Sequence, residues 1–240
     1  MKEKIYEATY VKALFDKMSD SYERINYLTS FGFSLRWRRQ FLTKLALKDA
    51  PHYRAIDLLT GMGEVWGPLR AKLPRAELYA LDFSPGMLRY AAQKNRRAYG
   101  DKVHLLEENI LDNRLPAKHF DLVVCSFGLK TFDAAQLRQF AQVVKRILKP
   151  GGQFSFIEIS VPPHPLLRTC FGFYLGKIIP ILGLFLLGNP REYRMLWQYT
   201  KAFENARAAA ELFAAVGLRV QYESYFWGCA TGFSGKKIGV

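Results

Sequence analysis

The sequence predicts an α/β fold built on a mostly parallel sheet, and three observations carry that expectation. From Arg54 onward, strand-like apolar runs alternate with helix-like stripes. The first of these runs, Ala55-Ile56-Asp57-Leu58-Leu59, leads straight into the glycine turn Thr60-Gly61-Met62-Gly63-Glu64. A second apolar strand closes on Asp82, about 20 residues further on, where doubly wound sheets place an acid against a ribose. A glycine turn lets the backbone approach a ligand, and the acid can accept both ribose hydroxyls. This is the layout of a nucleoside site on a Rossmann-like sheet, with Asp57, Gly61, Gly63 and Asp82 as its first candidates. Gly-Met-Gly lacks the third glycine that a pyrophosphate requires, so S-adenosylmethionine fits better than NAD.

The elements follow in order. Residues 1 to about 48 read as helices that precede the sheet. Strands are expected near 54–59, 77–82, 103–107, 121–126, 153–159, 219–226 and 229–237. The clearest helix is 133–148, where Leu137, Phe140, Ala141, Val144, Ile147 and Leu148 form one stripe that stops at Pro150-Gly151-Gly152. Such βαβ alternation implies right-handed crossovers. Residues 160 to about 203 form an aromatic, basic insertion that reads as a lid, and the alanine-rich helix 205–216 ends at Gly217, a C-cap. The 240 residues suit a single domain with a helical cap at 1–48 and the lid at 160–203.

Composition narrows the function. Hydrophobic residues make up 50% and aromatic residues 15%, enough for a sizeable core with rings left over for a pocket, so disorder is excluded. A net charge of +14 draws nucleic acid, an anionic leaflet or an acidic ligand without choosing among them. Cys125, Cys170 and Cys229 are widely spaced, as are the four histidines; this argues for a reducing compartment and against structural zinc. The first ten residues carry no apolar signal core, and a cytoplasmic location follows as the expectation. The most apolar run, Ile178 to Leu187, contains Pro and Gly and falls short of the ~20 residues of a spanning helix.

Two further residues belong to the ligand edge. Ser126 ends the fourth strand and Asn109 follows the third, so with Asp82 and the Gly61 turn they would surround an adenosine.

Beyond these, Phe15-Asp16, Tyr22-Glu23, Ile25-Asn26-Tyr27-Leu28, Ser30-Phe31-Gly32 and Arg36-Trp37-Arg38 resemble the N-terminal signature of the UbiE family of quinone C-methyltransferases. Ser126-Phe127-Gly128-Leu129, Leu148-Lys149-Pro150-Gly151-Gly152 and Glu158-Ile159-Ser160 are similar to its later blocks. The likeness covers nearly the whole chain. It implies a class I S-adenosylmethionine methyltransferase fold, a polyprenyl quinone as substrate, and cofactor contacts at Met62, Asp82, Asn109 with Ile110, and Ser126.

The departures point elsewhere. Where that family reads Gly-Thr-Gly-Asp this chain has Gly61-Met62-Gly63-Glu64, and where it reads Arg-Asn after Phe-Gly-Leu this chain has Lys130-Thr131. With Gly188-Asn189-Pro190, Tyr193, Leu196-Trp197, Tyr199-Thr200 and Gly228-Cys229-Ala230-Thr231-Gly232, they resemble the UbiE-related RquA family of rhodoquinone biosynthesis. That likeness implies replacement of a methoxy group of ubiquinone by an amino group, with S-adenosylmethionine as amino donor and manganese as the assisting metal. Methyl transfer needs a reduced quinol and a base. Amino transfer needs an oxidised ring and the cofactor's α-amine, whose reference pKa of about 8 leaves a neutral fraction near pH 7.

Glu64 and Lys130 are the catalytic candidates at the altered positions, and Tyr22 and Tyr199 could orient the ring by hydrogen bonding. Manganese would ask for oxygen ligands; Glu64, Asp16 and Glu158 are available, and spacing does not select among them. In the insertion, Phe171, Phe173, Tyr174, Leu175, Ile178, Ile179, Leu184, Phe185 and Leu186 make an apolar surface bordered by Arg168, Lys177, Arg191, Arg194 and Lys201. An anionic membrane surface suits that combination, so the expected location is peripheral to the inner membrane. The rivals are a ubiquinone or menaquinone C-methyltransferase and a non-catalytic RNA-binding protein of the same fold. Against the latter, the basic residues form no recognisable RNA module, and no nucleic acid is expected as partner.

Overall fold

The computed structural model describes residues 3–18, 30–187 and 191–239. Seven strands form one sheet in the order β3-β2-β1-β4-β5-β7-β6. They are β1 (Arg54–Leu58), β2 (Glu77–Asp82), β3 (Val103–Glu107), β4 (Phe120–Ser126), β5 (Leu148–Ile159), β6 (Leu218–Tyr225) and β7 (Ala230–Lys237). The first five pair in parallel, and β7 runs antiparallel to both β5 and β6. The order reverses between β1 and β4, which is where open α/β sheets bind ligands at the carboxyl ends of the strands.

Strand periodicity decides which side chain goes to which face. Ile56, Leu58, Val123, Cys125, Phe154 and Phe156 meet α5 (Ala134–Ile147) and α9 (Arg207–Ala215) on one side. Ala55, Leu78, Ala80, Leu122, Val124 and Ile157 meet α2 (Phe33–Gln40), α3 (Trp66–Lys72) and α4 (Pro85–Lys94) on the other. Both faces are covered, and this is why the strands read as continuous apolar runs. Phe154, Phe156, Phe213 and Phe233 cluster with centroid separations of 4.9 to 6.2 Å, mostly edge to face, with Phe154 stacked on Phe156.

Helix α5 starts at a capping box in which Asp133 accepts from the Gln136 amide and Gln136 accepts from the Asp133 amide. It ends at Ile147, while Pro150-Gly151-Gly152 lies inside β5 instead of in a loop. Gly151 has φ 77, and the pairing with β4 shifts register between Phe120 and Leu122, so the strand begins earlier than its apolar run.

Before the sheet lies α1 (Ala8–Met18); after β5 come α6 (Pro165–Phe173), a π turn (Tyr174–Ile178), α7 (Ile179–Leu187) and α8 (Arg191–Phe203). From Pro165 to Leu187 the helix is continuous, so the apolar run expected to be too short belongs to a longer element. Its window Pro165–Leu182 is long and apolar enough by composition to cross a membrane, with 17% of it buried. In α6 and the π turn, Gly172 and Gly176 each come so close to Trp197 that an added Cβ would lie 2.8 Å from the indole. Their bare backbone lets α8 pack against the long helix.

Candidate active site

Two pockets meet at the carboxyl edge of the sheet. The first is built on the turn after β1. Asp82 is buried, its Oδ2 accepting the Gly61 amide at 2.8 Å and its Oδ1 the Ser84 amide at 3.0 Å. Burial pushes this carboxyl up to about 6 against those two hydrogen bonds. Gly61, Glu64, Asp82, Asn109, Ile110 and Ser126 line the pocket, and α1 roofs it with Val11 and Phe15. Gln136 holds the roof's approach by donating to the Tyr6 carbonyl, and Asp16 accepts from Ser84 Oγ and the Gly86 amide.

The turn itself is over-determined. Gly63 has φ 76, and a Cβ there would lie 2.5 Å from the Trp66 ring. Trp66 Nε1 donates to Thr60 Oγ1, and Thr60 Oγ1 donates to Asp57 Oδ2 at 2.5 Å. Asp57 is therefore behind the wall instead of in it: it is fully buried, and desolvation pushes its carboxyl up to about 8. Met62 is buried too, and neither it, Gly63 nor Asp57 lines the pocket.

The second pocket is apolar, with a volume of about 340 Å³, within the range of small-molecule sites. Its floor is Trp37, Phe127 and Ile159, and its roof is the insertion. Phe15, Arg38, Phe127 and Thr131 line both pockets, so the two share a wall of four residues. Phe127 holds φ 66, a left-handed conformation that a bulky residue adopts only where its surroundings demand it. Lys130 faces the second pocket and is ion-paired at 2.8 Å with the buried Glu158.

A pocket with a buried acid at the end of β2, joined to an apolar pocket, calls for comparison with known enzymes. The sequence profile of the ubiE/COQ5 methyltransferase family matches residues 2–237. The chain belongs to this family. It is 35% identical over 217 residues to the demethylmenaquinone methyltransferase of Thermus thermophilus, covering 90% of this chain and 96% of that one. It is 32% identical over 232 residues to the enzyme of the same name from Lactiplantibacillus plantarum, covering 95% of each. The fold is similar to that of an S-adenosylmethionine-dependent methyltransferase of Aquifex aeolicus, with a TM-score of 0.60, 18% identity, and coverage of 90% of this chain and 98% of the other. The class I methyltransferase fold expected from the sequence is thus the fold observed.

The cofactor of this family suits the first pocket on one observation in particular. Glu64 Oε1 is buried there without a hydrogen-bond partner, while its Oε2 accepts the Met62 amide, so one carboxylate oxygen is left for a cationic group such as the methionine ammonium. A metal fits less well. Glu158 is taken by Lys130 and by the Lys130 and Ile159 amides, Asp16 by Ser84 and Gly86, and Glu64 faces Arg38. Among the described residues no three His, Cys, Asp or Glu side chains gather to hold an ion.

Of the remaining candidates, Tyr199 lines the second pocket with its ring, but its hydroxyl donates to the Ile5 carbonyl and is already used. Burial raises its pKa. Tyr22, Glu23 and the Ile25–Leu28 and Gly188–Pro190 blocks lie outside the described residues, as do the side chains of Arg191, Tyr193, Arg194, Phe185 and Leu186. Cys229 lines the second pocket with its thiol pushed up to about 11 by burial, which leaves it neutral.

The insertion does not present one apolar surface, as its composition suggests. Phe171, Tyr174, Leu175 and Ile179 face the pocket, whereas Phe173, Ile181, Leu182 and Leu184 are exposed on the outside. Residues that the sequence did not single out as functional are Arg38, Phe127 and Phe15. No sequence signal marked Arg38: its helix mixes apolar and basic residues, and only the packing shows that this arginine is buried.

Proposed function

We propose that this protein is an S-adenosylmethionine-dependent transferase that modifies the ring of a polyprenyl quinone. The observation that carries the reading is the shared wall: a pocket suited to the nucleoside opens through Arg38, Phe127 and Thr131 onto an apolar pocket of about 340 Å³. Reacting groups held on either side of such a wall gain from proximity. In this reading Asp82 accepts the ribose hydroxyls, the Gly61 turn admits the methionine chain, and Asn109, Ile110 and Ser126 border the adenine. Glu64 holds the ammonium. Met62 and Gly63 shape the turn, and Asp57 acts through Thr60. The bound cofactor supplies either an electrophilic methyl group or a nucleophilic nitrogen.

The relatives favour methyl transfer to a reduced ring, since both are demethylmenaquinone methyltransferases. A second reading, amination of oxidised ubiquinone to rhodoquinone, is favoured by the chemistry of the acceptor pocket. Its lining has the cation Arg38, with Lys130 already paired with Glu158, and among the described residues no Asp, Glu or His to take a phenolic or ring proton. Cations polarise quinone oxygens, which suits attack by a nucleophile on an oxidised ring. The manganese implied by the RquA resemblance finds no ligand set among the described residues, and no step is assigned to it.

Access from a bilayer is part of the same proposal. Leu166, Phe173, Ile181 and Leu184 of the insertion are exposed, as are Phe31 and Trp227, and the insertion also exposes the cations Lys177 and Lys201. That combination suits the cytoplasmic surface of an anionic inner membrane.

The deciding experiment incubates the protein with S-adenosylmethionine labelled in its methyl carbon or its α-nitrogen, against reduced and oxidised quinone, and weighs the product. Methyl label on a reduced ring establishes methyl transfer. Nitrogen label, with exchange of methoxy for amino, establishes rhodoquinone formation. Turnover of neither ring overturns the quinone reading.

A further inference from the structure

We infer that Arg38 holds an oxygen of the quinone ring, and that the Arg38–Glu64 pair divides the ligands, the carboxylate taking the cofactor's ammonium and the guanidinium the acceptor. This rests on the quinone reading above and assigns that site its polar anchor.

Arg38 sits in α2, whose mean hydropathy is low, yet its side chain is only 5% exposed. A guanidinium has five N–H donors and cannot shed its charge. Here the contacts are few: Nε donates to Ser126 Oγ at a long 3.4 Å, one terminal nitrogen lies 3.6 Å from Glu64 Oε1, and the carbon lies 4.8 Å from the centroid of the Phe127 ring. The 3.6 Å separation is an ion pair without a hydrogen bond, consistent with the unpartnered Oε1. Among the described residues most of its donors therefore have no hydrogen-bond partner, at a position lining both pockets. A buried guanidinium left this way is costly unless a ligand oxygen completes it.

Two oxygens compete for that place, the cofactor's carboxylate and a ring oxygen of the acceptor. Glu64 decides between them. A second carboxylate beside Glu64 would meet like charge in a buried setting, whereas the ammonium would be attracted to it. The acceptor side offers no such conflict: the pocket lining holds no acid among the described residues, and Phe127, against whose ring the guanidinium packs, lines the same pocket. Negative charge that develops on a ring oxygen, whether by phenol ionisation or by attack on the ring, would build up next to a fixed cation.

The test uses equilibrium dialysis of the full chain with two probes, S-adenosylhomocysteine and a ubiquinone bearing one isoprene unit. Arg38→Gln is expected to weaken quinone binding at least tenfold and to leave S-adenosylhomocysteine within threefold, with Arg38→Lys recovering part of the loss. Glu64→Gln is expected to show the reverse pattern. Loss of S-adenosylhomocysteine alone in Arg38→Gln assigns the guanidinium to the cofactor carboxylate and overturns the inference. So does an unchanged quinone affinity, or equal loss of both probes in Arg38→Gln and Arg38→Lys. A wild-type protein that binds the cofactor product but takes up no quinone overturns the acceptor reading itself, and this inference with it.

Discussion

Lys130 Nζ and Glu158 Oε1 lie 2.8 Å apart, with side chains 7% and 0% exposed, although 28 residues separate them. The lysine also donates to the Phe127 carbonyl, and Glu158 Oε2 accepts the Lys130 amide. The pair ties the end of β5 to the segment after β4, and so holds the left-handed Phe127 at the junction of the two pockets. Lys130→Met should destabilise the protein by about 3–5 kcal/mol because it strands a buried carboxylate. Urea denaturation is the measurement, and Lys130→Met/Glu158→Gln should recover part of the loss. Equal stability of wild type and Lys130→Met would show that the pair is not structural.

In the proposed reading Asp82 accepts the ribose hydroxyls of the cofactor. Its raised pKa of about 6 means that the free protein protonates it on mild acidification, removing the charged acceptor that two ribose hydroxyls need. Affinity for S-adenosylhomocysteine should be level above pH 7 and fall by up to about tenfold per pH unit below pH 6, following the protonated fraction. Titration calorimetry checks this. Asp82→Ala should bind too weakly to measure, and near-normal affinity in a folded variant would remove Asp82 from the site.

Asp57 should act on stability instead. Its folded-state value of about 8 lies above the ordinary 3.8, so the folded chain binds this proton more tightly than the unfolded one. Stability from this group is greatest below pH 3.8 and declines as pH rises to about 8. Asp57→Asn keeps an acceptor for Thr60 and has no charge to bury, so its melting temperature should vary less than that of the wild type between pH 5 and pH 8. An unaltered pH profile would contradict the buried protonated state.

Gly63→Ala should be among the most damaging single-methyl additions. Positive φ and a 2.5 Å approach to Trp66 act together there, and the expected cost is about 1–3 kcal/mol. Cofactor affinity should fall with it. Gly61→Ala meets only the end of Glu64 at 3.3 Å, so it should be milder in thermal denaturation despite its φ of 57.

Exposed aromatic residues carry the last expectation. Phe31 and Trp227 are 78% and 76% exposed, and both hold left-handed backbone, φ 48 and 52. Replacing both with serine should lower sedimentation with anionic liposomes several-fold without changing the far-ultraviolet circular dichroism. Unchanged sedimentation would detach this surface from the membrane proposal.

What the sequence determined was whatever depends on neighbours along the chain. The seven strands, α5 with its Asp133 cap, the stop at Gly217 and the glycine turn before Glu64 were all legible, because periodicity, capping and positive-φ requirements are local. Asp82, Asn109 and Ser126 could be named for a similar reason: a parallel sheet carries its strand ends to one edge. The start of β5 was missed because Pro150-Gly151 reads as a breaker, and only pairing with β4 makes it strand. Tertiary packing alone decided that Asp57 stands behind the pocket wall, that the Tyr199 hydroxyl is spent on Ile5, and that the insertion splits its aromatic residues between pocket and surface. It also placed Arg38 beside Glu64 and Lys130 beside Glu158. Such pairs form across 26 and 28 residues or more of chain, where no local pattern links the partners and burial sets which charges must meet.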